Sequence, residues 1–507
     1  MHSAPRWGTT DRAVTAVTPS RCALGLLVAL MMGAATSARA QLLYFSNHRE
    51  VAIPKYATLR IGPFYSTALF TQTAGYTYTR SSGEGVDYLI SNRRGTILKD
   101  GSELPLVSTL NLRNYLLITR QMDVDLSVQI SYAQYPLGTQ DDTLYVDAAG
   151  EGVIGDLSTE IILTPYLKAT LYDHFVYHTD YVDVRGRLDP YGGQEYTYIR
   201  NTVGAYADWL MARDKSLDLA ASWTVEIPQS KDFRSQDRST FDESATYEQE
   251  ILPGFIAGAR AGYEQTHYEV DDRLDTHIQD YSIYGKVDRT GGMRMRLTEA
   301  SILRFGVGYS LGYAYAKEQV QENQSDFAQE QAADVSEFTG FVNLETQLRK
   351  DLKHKLGYSH VLRGGFSSAF EVVDAYDYVL SWEGVVSSLS LFTRVEDVQP
   401  SDEFYPEYRD WASGLNASYL IAQPITLLLT VQYDDRQNKP SDSRVNLDDE
   451  FLYNYATWYA RLGTSFAVTR SIDFLTYVEH IERTSASQNL DYNRDQFGAI
   501  FKYTHQF

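Results

Sequence analysis

Cysteine is all but missing from this chain: Cys22 is the only one, and nothing after it carries a thiol. Beyond that point a disulfide framework, a thiolate nucleophile and a cysteine metal ligand are therefore excluded. Cys22 follows Pro19-Ser20-Arg21, not the small and apolar residues that precede a lipoprotein acylation site. Long apolar runs are missing too. After Gln41 no stretch reaches the roughly 18 residues that a membrane-spanning helix requires. Proline is sparse, with 14 in the whole sequence. Positive charge is in deficit, 45 Lys and Arg against 66 Asp and Glu. Four of the basic residues (Arg6, Arg12, Arg21, Arg39) and one acid (Asp11) precede Gln41, so the remainder holds 41 against 65, a net charge of −24. An excess of this size disfavours nucleic acid and anionic membrane surfaces as partners. No cofactor is implied.

The first forty residues read as a secretory signal peptide. Arginines precede an apolar run of 14 residues from Cys22 to Ala35, and Ala38-Arg39-Ala40 supplies the small residues of a cleavage site. The expected organisation is a signal peptide over 1–40, a short periplasmic segment over 41–58 and one barrel domain over 59–507. Tyrosine is abundant: all 39 lie after Ala40. An exported, thiol-free, Tyr-rich chain of polar average composition suits a β-barrel, whose apolar residues occupy one face of each strand and whose tyrosines form interfacial belts.

The last eleven residues carry that pattern plainly. Phe497, Ala499, Phe501, Tyr503, His505 and Phe507 share one face, and Gly498, Ile500, Lys502, Thr504 and Gln506 the other. The stretch resembles the C-terminal assembly signal of bacterial outer-membrane barrels, with Phe497, Phe501, Tyr503 and Phe507 as the barrel-closing residues and His505 as a departure. Upstream, hairpins repeat. Leu106 to Thr119 turns at Arg120-Gln121-Met122 into a strand with Val124, Leu126, Val128, Ile130 and Tyr132 on one face and Asp123, Asp125, Ser127, Gln129 and Ser131 on the other. Short polar turns recur at Arg213-Asp214-Lys215, Arg349-Lys350-Asp351, Ala422-Gln423-Pro424 and Thr469-Arg470-Ser471. Longer acidic connections fall near 81–103, 136–156, 229–244, 317–334, 398–407, 437–449 and 484–491. Short turns on one side and long loops on the other predict an all-β, up-and-down antiparallel transmembrane barrel with an even number of strands, between 16 and 20. The least regular stretches are 158–184 and 245–300.

Leu59-Arg60-Ile61-Gly62-Pro63-Phe64-Tyr65 resembles the first strand of the β-barrel porin-2 family of bacteria. That resemblance implies an outer-membrane barrel, in some cases linked to polysaccharide export, and transfers no functional residue. The segment from Gln41 to Thr58 is too short for the plug of an energised receptor or for the periplasmic repeats of an assembly barrel.

Other chemistry reads weakly. Gly308-Tyr309-Ser310-Leu311-Gly312 matches G-x-S-x-G, but that motif needs a strand, an elbow and a helix, and here the alternation of a strand continues on both sides. His174 and His178 would be about 13 Å apart on a strand, too far to share one ion, and read as interfacial or loop residues. A Ser/His lipid hydrolase has no supporting spacing. Acidic clusters at Asp141-Asp142, Asp271-Asp272 and Asp448-Asp449-Glu450 read as solvated outer-loop charge, with Ca²⁺ or bridged lipid headgroups as the other reading.

The expected function is passive diffusion of small hydrophilic solutes through a water-filled lumen lined by Asp123, Asp125, Gln129, Asp218, Glu226, Gln432 and Asp434. The acidic bias favours cations or neutral sugars, with Lys502 a local offset, and the loop from Ser81 to Glu103 folds inward as a constriction. The alternative is a closed or plugged barrel with a structural, adhesion or export-accessory role, favoured by a high lumen content of paired Arg and Asp/Glu that locks the interior shut. Expected partners are outer-membrane lipid and lipopolysaccharide, the barrel-assembly machinery and the solute.

Overall fold

The computed structural model describes residues 51, 57–83, 86, 100–136, 143–144, 153–182, 194–252, 254–270, 275–287, 301–314, 334–365, 368–401, 406–439, 454–485 and 491–507. The segment read as a signal peptide and the acidic clusters at 141–142, 271–272 and 448–450 lie outside them.

Twenty antiparallel strands form a closed barrel within the unit Asn47–Phe507. They are β1 Phe64–Ser82, β2 Leu106–Thr119, β3 Met122–Gln134, β4 Val153–Thr164 and β5 Leu167–Val182. Next come β6 Gln194–Ala212, β7 Lys215–Pro228, β8 Arg238–Leu252, β9 Phe255–Tyr268 and β10 Thr276–Val287. The second half holds β11 Ser301–Ala314, β12 Asp334–Arg349, β13 Leu352–Gly364, β14 Phe370–Glu383 and β15 Ser387–Pro400. The last five are β16 Tyr408–Ala422, β17 Ile425–Asn438, β18 Tyr455–Thr469, β19 Ile472–Ser485 and β20 Tyr492–Gln506. Each strand pairs with its chain neighbours, and β20 closes on β1 from Leu69↔Gln506 to Ser82↔Asn493. The even count follows from this topology, at the upper end of the expected range.

Closure is what the C-terminal pattern specifies. Phe497 faces Tyr78, Phe501 faces Ala74 and Tyr503 faces Gln72 across the seam. All three rings and Phe507 are exposed on the outer face, and the Phe507 amide donates to the Ala68 carbonyl at 2.9 Å.

The period-2 pattern sorts side chains between two solvents. On β3, Leu126, Ile130 and Tyr132 are exposed outward, while Ser127, Gln129 and Ser131 turn inward. The same division recurs on β7 (Trp223, Ile227), β11 (Phe305, Val307) and β18 (Trp458, Leu462). A 14-residue strand tilted about 40° rises about 35 Å, enough for the roughly 25 Å apolar band of such barrels. Aromatics cluster at the level of one rim, where Tyr433 packs on Trp411 at 5.6 Å and on Trp458 at 4.6 Å between ring centroids.

Seven of the connections at the end away from the long loops are two residues long, and each carries a register shift just beside it. The bulge takes up the strand twist that a two-residue turn alone does not match. Thr119, Thr164 and Thr469 end their strands and accept the amide of Gln121, Tyr166 and Ser471 on Oγ1 at 3.1–3.2 Å. Met122 and Lys215, read as turn residues, are instead the first residues of β3 and β7. The connection read at 229–244 is also shorter than expected, because β8 starts at Arg238. Its lumen face, Thr240, Asp242, Ser244 and Thr246, is polar, and its lipid face is broken by Glu243, so the alternation was muted.

Gly308 lies inside β11, with no elbow or helix. A Cβ there would come within 2.6 Å of the Tyr281 carbonyl on β10 and 2.7 Å of Thr339 Oγ1 on β12. The glycine admits close approach of both neighbouring strands. Gly308→Val is therefore expected to destabilise the barrel by about 1–3 kcal/mol, read as a lower midpoint for loss of the compact, heat-modifiable band in gel electrophoresis.

Candidate functional site

The lumen is the site, and its polar face is built in horizontal belts. Opposite residues on adjacent strands share a level, so inward side chains at matched register meet. One belt runs Arg200 (β6), Glu226 (β7), Arg238 (β8) and Tyr268 (β9), each opposite the next. Glu226, 2% exposed, accepts from Arg200 Nε at 2.7 Å, Arg238 Nη2 at 3.1 Å and Tyr196 Oη at 2.5 Å. Arg238 Nη1 donates to Tyr268 Oη at 3.2 Å.

One level away, threonines continue across five strands: Thr202, Thr224, Thr240, Thr266 and Thr276. Thr202 and Thr224 hydroxyls are 2.9 Å apart, and those of Thr240 and Thr266 are 3.2 Å apart.

Two loops turn into the lumen beside these belts. The β7–β8 connection carries a 3₁₀ turn, Lys231–Gln236, that sets Phe233 against Tyr196 at 4.9 Å in a cluster with Val182 and Tyr198. The β13–β14 hairpin tip reaches further. Its Leu362 and Phe370, the latter fully buried, pack with Ile278 of β10 and Ala314 of β11. A Cβ built on Gly364 would lie 3.6 Å from Glu264 Oε1 on β9. Between hairpin and wall remains a polar cavity of about 410 Å³, lined by the Arg–Glu–Arg belt, the threonines, Glu264, Gly364, Gly365 and Ala369. The hairpin and the Phe233 turn thus both narrow the lumen. Most of the loop expected to play that part, 84–85 and 87–99, lies outside the described residues.

On the far wall, cations and acids again pair sideways. Arg436 Nε donates to Asp410 at 2.8 Å and Arg494 Nη1 to Glu479 at 3.1 Å, and within the inward hairpin Arg363 Nη2 donates to Glu371 at 2.8 Å. The first two pairs join adjacent strands along the wall, so they stiffen the cylinder without bridging its bore.

All seven candidate lining residues lie on the lumen face, in two different states. Asp123, 8% exposed, accepts the Glu160 amide at 3.0 Å where the β3–β4 ladder skips between Met122↔Ile161 and Asp125↔Ser158. It satisfies backbone, as Glu226 satisfies two arginines. Asp125, Gln129, Asp218, Gln432 and Asp434 retain exposure to the bore. Gln129 accepts from Asn111 at 2.9 Å, and Gln432 donates to Asp434 at 2.8 Å.

His174 and His178 are strand residues of β5 on the lumen face, not interfacial or loop residues. His174 pairs with Asp156, and His178 with Asp180 at 2.8 Å. Ser310 donates to Asp280, a carboxylate partner and not a histidine.

Arg200, Arg238 and the threonine belt were not singled out from the sequence. Counted outward from the two-residue turn at 213–214, Glu226 would fall opposite Asn201; the one-residue register shift beside Lys215 brings Arg200 there instead.

No family model and no curated protein matches the chain. Among solved structures it is similar to Pseudomonas aeruginosa OprD, at 12% identity over 92% of this chain and 99% of that one, with a TM-score of 0.41. Similarity extends to P. aeruginosa OccK2 (OpdF), at 10% identity over 87% and 98%, TM-score 0.39. It also extends to the P. aeruginosa ferric enterobactin receptor PfeA, at 12% over 86% and 80%, TM-score 0.48. The barrel itself is established by its own closed ladder.

Removing Glu226 strands two cations in the wall. Glu226→Ala is expected to lower stability by on the order of 3 kcal/mol, measured by urea unfolding in lipid vesicles, and Glu226→Gln by clearly less because it keeps an acceptor.

Proposed function

We propose that this protein is a porin-like channel of a Gram-negative outer membrane, exported by a signal peptide ending near Ala40. It passes small hydrophilic solutes by passive diffusion. The observation that carries the reading is the direction of the lumen's ion pairs: they run along the wall, between neighbouring strands, and do not cross the bore. A barrel of about 16–18 strands already leaves an aqueous channel when its interior is not filled, and twenty give more room. The apolar outer face then meets lipid, the acidic loops meet lipopolysaccharide and its divalent ions, and the aromatic C-terminal strand is what the assembly machinery engages. Asp125, Gln129, Asp218, Gln432 and Asp434 are the proposed lining residues, and a hydroxyl-rich belt beside them suits polar, hydrogen-bonding solutes.

The second reading, a closed barrel with a structural or export-accessory role, draws on one observation: the β13–β14 hairpin and Phe233 both occupy the lumen.

Single-channel recording in a planar bilayer under a salt gradient separates the two. Stable steps with a cation-favouring reversal potential are expected. Asp125→Asn with Asp218→Asn should roughly halve the cation preference, because charge rings in the bore set selectivity. A folded barrel without conductance would favour the closed reading.

A further inference from the structure

Apart from the short skip between β3 and β4, the wall is interrupted among the described residues at one place. β12 pairs with β11 from Ser301↔Thr346 to Tyr313↔Asp334. β13 pairs with β14 from Leu352↔Trp382 to Gly364↔Phe370. Between β12 and β13, however, the ladder begins at Arg349↔Leu352 and stops at Gly340↔His360. Residues 334–339 of β12 therefore have no β13 partner, although both strands continue. Above the break the β13–β14 hairpin leans into the lumen. Leu362 shares a strand face with Leu356, which is exposed to the outside, yet Leu362 is buried against Ile278, Ala314 and Phe370 inside the barrel.

The residues left unpaired are matched for pairing. Extending the Gly340↔His360 register sets Thr339 opposite Val361, Phe338 opposite Leu362 and Glu337 opposite Arg363. The first and last of these sit on the lumen face, where Glu337 and Arg363 are complementary ions. The middle pair sits on the lipid face, where both members are apolar. As the hairpin stands, Phe338 is 78% exposed and stacks only edge-on against Tyr309. Glu337 meets His360 Nε2 at 3.2 Å instead, and His360 Nδ1 meets Asp374 at 2.9 Å. That side-chain bridge spans the break at its lower end.

We propose that the β13–β14 hairpin is a two-position gate. Folded in, it narrows the bore and leaves the wall parted above Gly340 and His360. Zipped onto β12 through Thr339, Phe338 and Glu337, it completes the wall and widens the bore. The movement stands on the ladder alone; its effect on flux rests on the channel reading above. Unpaired strand edges recruit a partner strand, and here the matching partner is the strand next door.

Thiol cross-linking tests both positions, since Cys22 is the chain's one native cysteine. Ala314→Cys with Leu362→Cys, joined by a short bis-maleimide, traps the folded-in hairpin. Phe338→Cys with Leu362→Cys, oxidised to a disulfide, traps the zipped one. Val342→Cys with Tyr358→Cys, opposite each other in the existing ladder, is the positive control. Each full-length variant is purified from outer membranes and checked for the heat-modifiable band before cross-linking. Both test pairs are expected to cross-link, with the zipped form conducting at least twofold more than the folded-in form and reduction reversing the gain. Failure of the Phe338/Leu362 pair alongside a cross-linked control would overturn the gate. So would equal conductance in the two trapped forms of a conducting barrel. Cross-linking of both pairs with no conductance in any variant would uphold the movement and sink the channel reading instead.

Discussion

A backbone amide or carbonyl left without a partner in hydrocarbon costs several kcal/mol, and every feature of this barrel answers that constraint. A sheet immersed in lipid can have no edge, so β20 must return to β1. The chain meets the requirement with a final strand whose outward residues, Phe497, Phe501 and Tyr503, are apolar enough for lipid and whose backbone pairs over fourteen positions. The same constraint makes the break between β12 and β13 informative. It opens at Gly340 and His360, nine residues above the end of β12 at Arg349, a rise of about 23 Å along the barrel axis for a strand tilted about 40°. That is near the upper limit of the apolar band, where water can take over from strand partners. Below it, where water is absent, the ladder is continuous.

How much of this was legible in the sequence depends on which physical signal each part carried. Strands facing two solvents write a period of two, so β3, β7, β17 and β20 could be read residue by residue. A two-residue turn fixes register as well. Here the bulge beside it shifts the count by one: the turn at Arg213 and Asp214 alone would set Asn201 opposite Glu226, and the bulge sets Arg200 there. Glu226 and Arg238 are joined through the nine-residue connection 229–237, which fixes nothing, and that half of the belt needed coordinates. β8 blurred for a related reason: its lumen face is polar as expected, but Glu243 interrupts its lipid face. The inward hairpin was illegible in principle, because Leu362 and Phe370 obey the alternation of an ordinary wall strand and only bending turns them inward.

The lumen charges show why inward-facing is a weaker statement than pore-lining. Parity alone placed Asp123 and Asp125 together, two residues apart on one face. Their neighbours separate them. The β3–β4 ladder skips beside Asp123, leaving the Glu160 amide in need of an acceptor, and Asp123 supplies it. Asp125 has no such duty and stays available to solvent. Glu226 is likewise spent on two guanidinium groups and a tyrosine hydroxyl. A carboxylate so satisfied contributes little field to the bore, and that field comes from the acids that the wall does not use.

Whether the hairpin can occupy two positions is a question of energy, and the terms are close. Folded in, it buries Phe370 and Leu362 against Ile278 and Ala314; full burial of two such side chains contributes about 3–6 kcal/mol. Zipped, it would gain a few ladder hydrogen bonds at about 1 kcal/mol each. It would also gain an apolar cross-strand pair between Phe338 and Leu362 and an ion pair between Glu337 and Arg363, each worth about 0.2–1 kcal/mol. Neither side exceeds the other by more than a few kcal/mol, the range in which one sequence supports two packings. The bend is also confined. β13, β14 and β15 keep their mutual ladders to the top, so they can swing as one sheet, and the hydrogen bonds that hold the barrel within the apolar band need not break for the mouth to change its width.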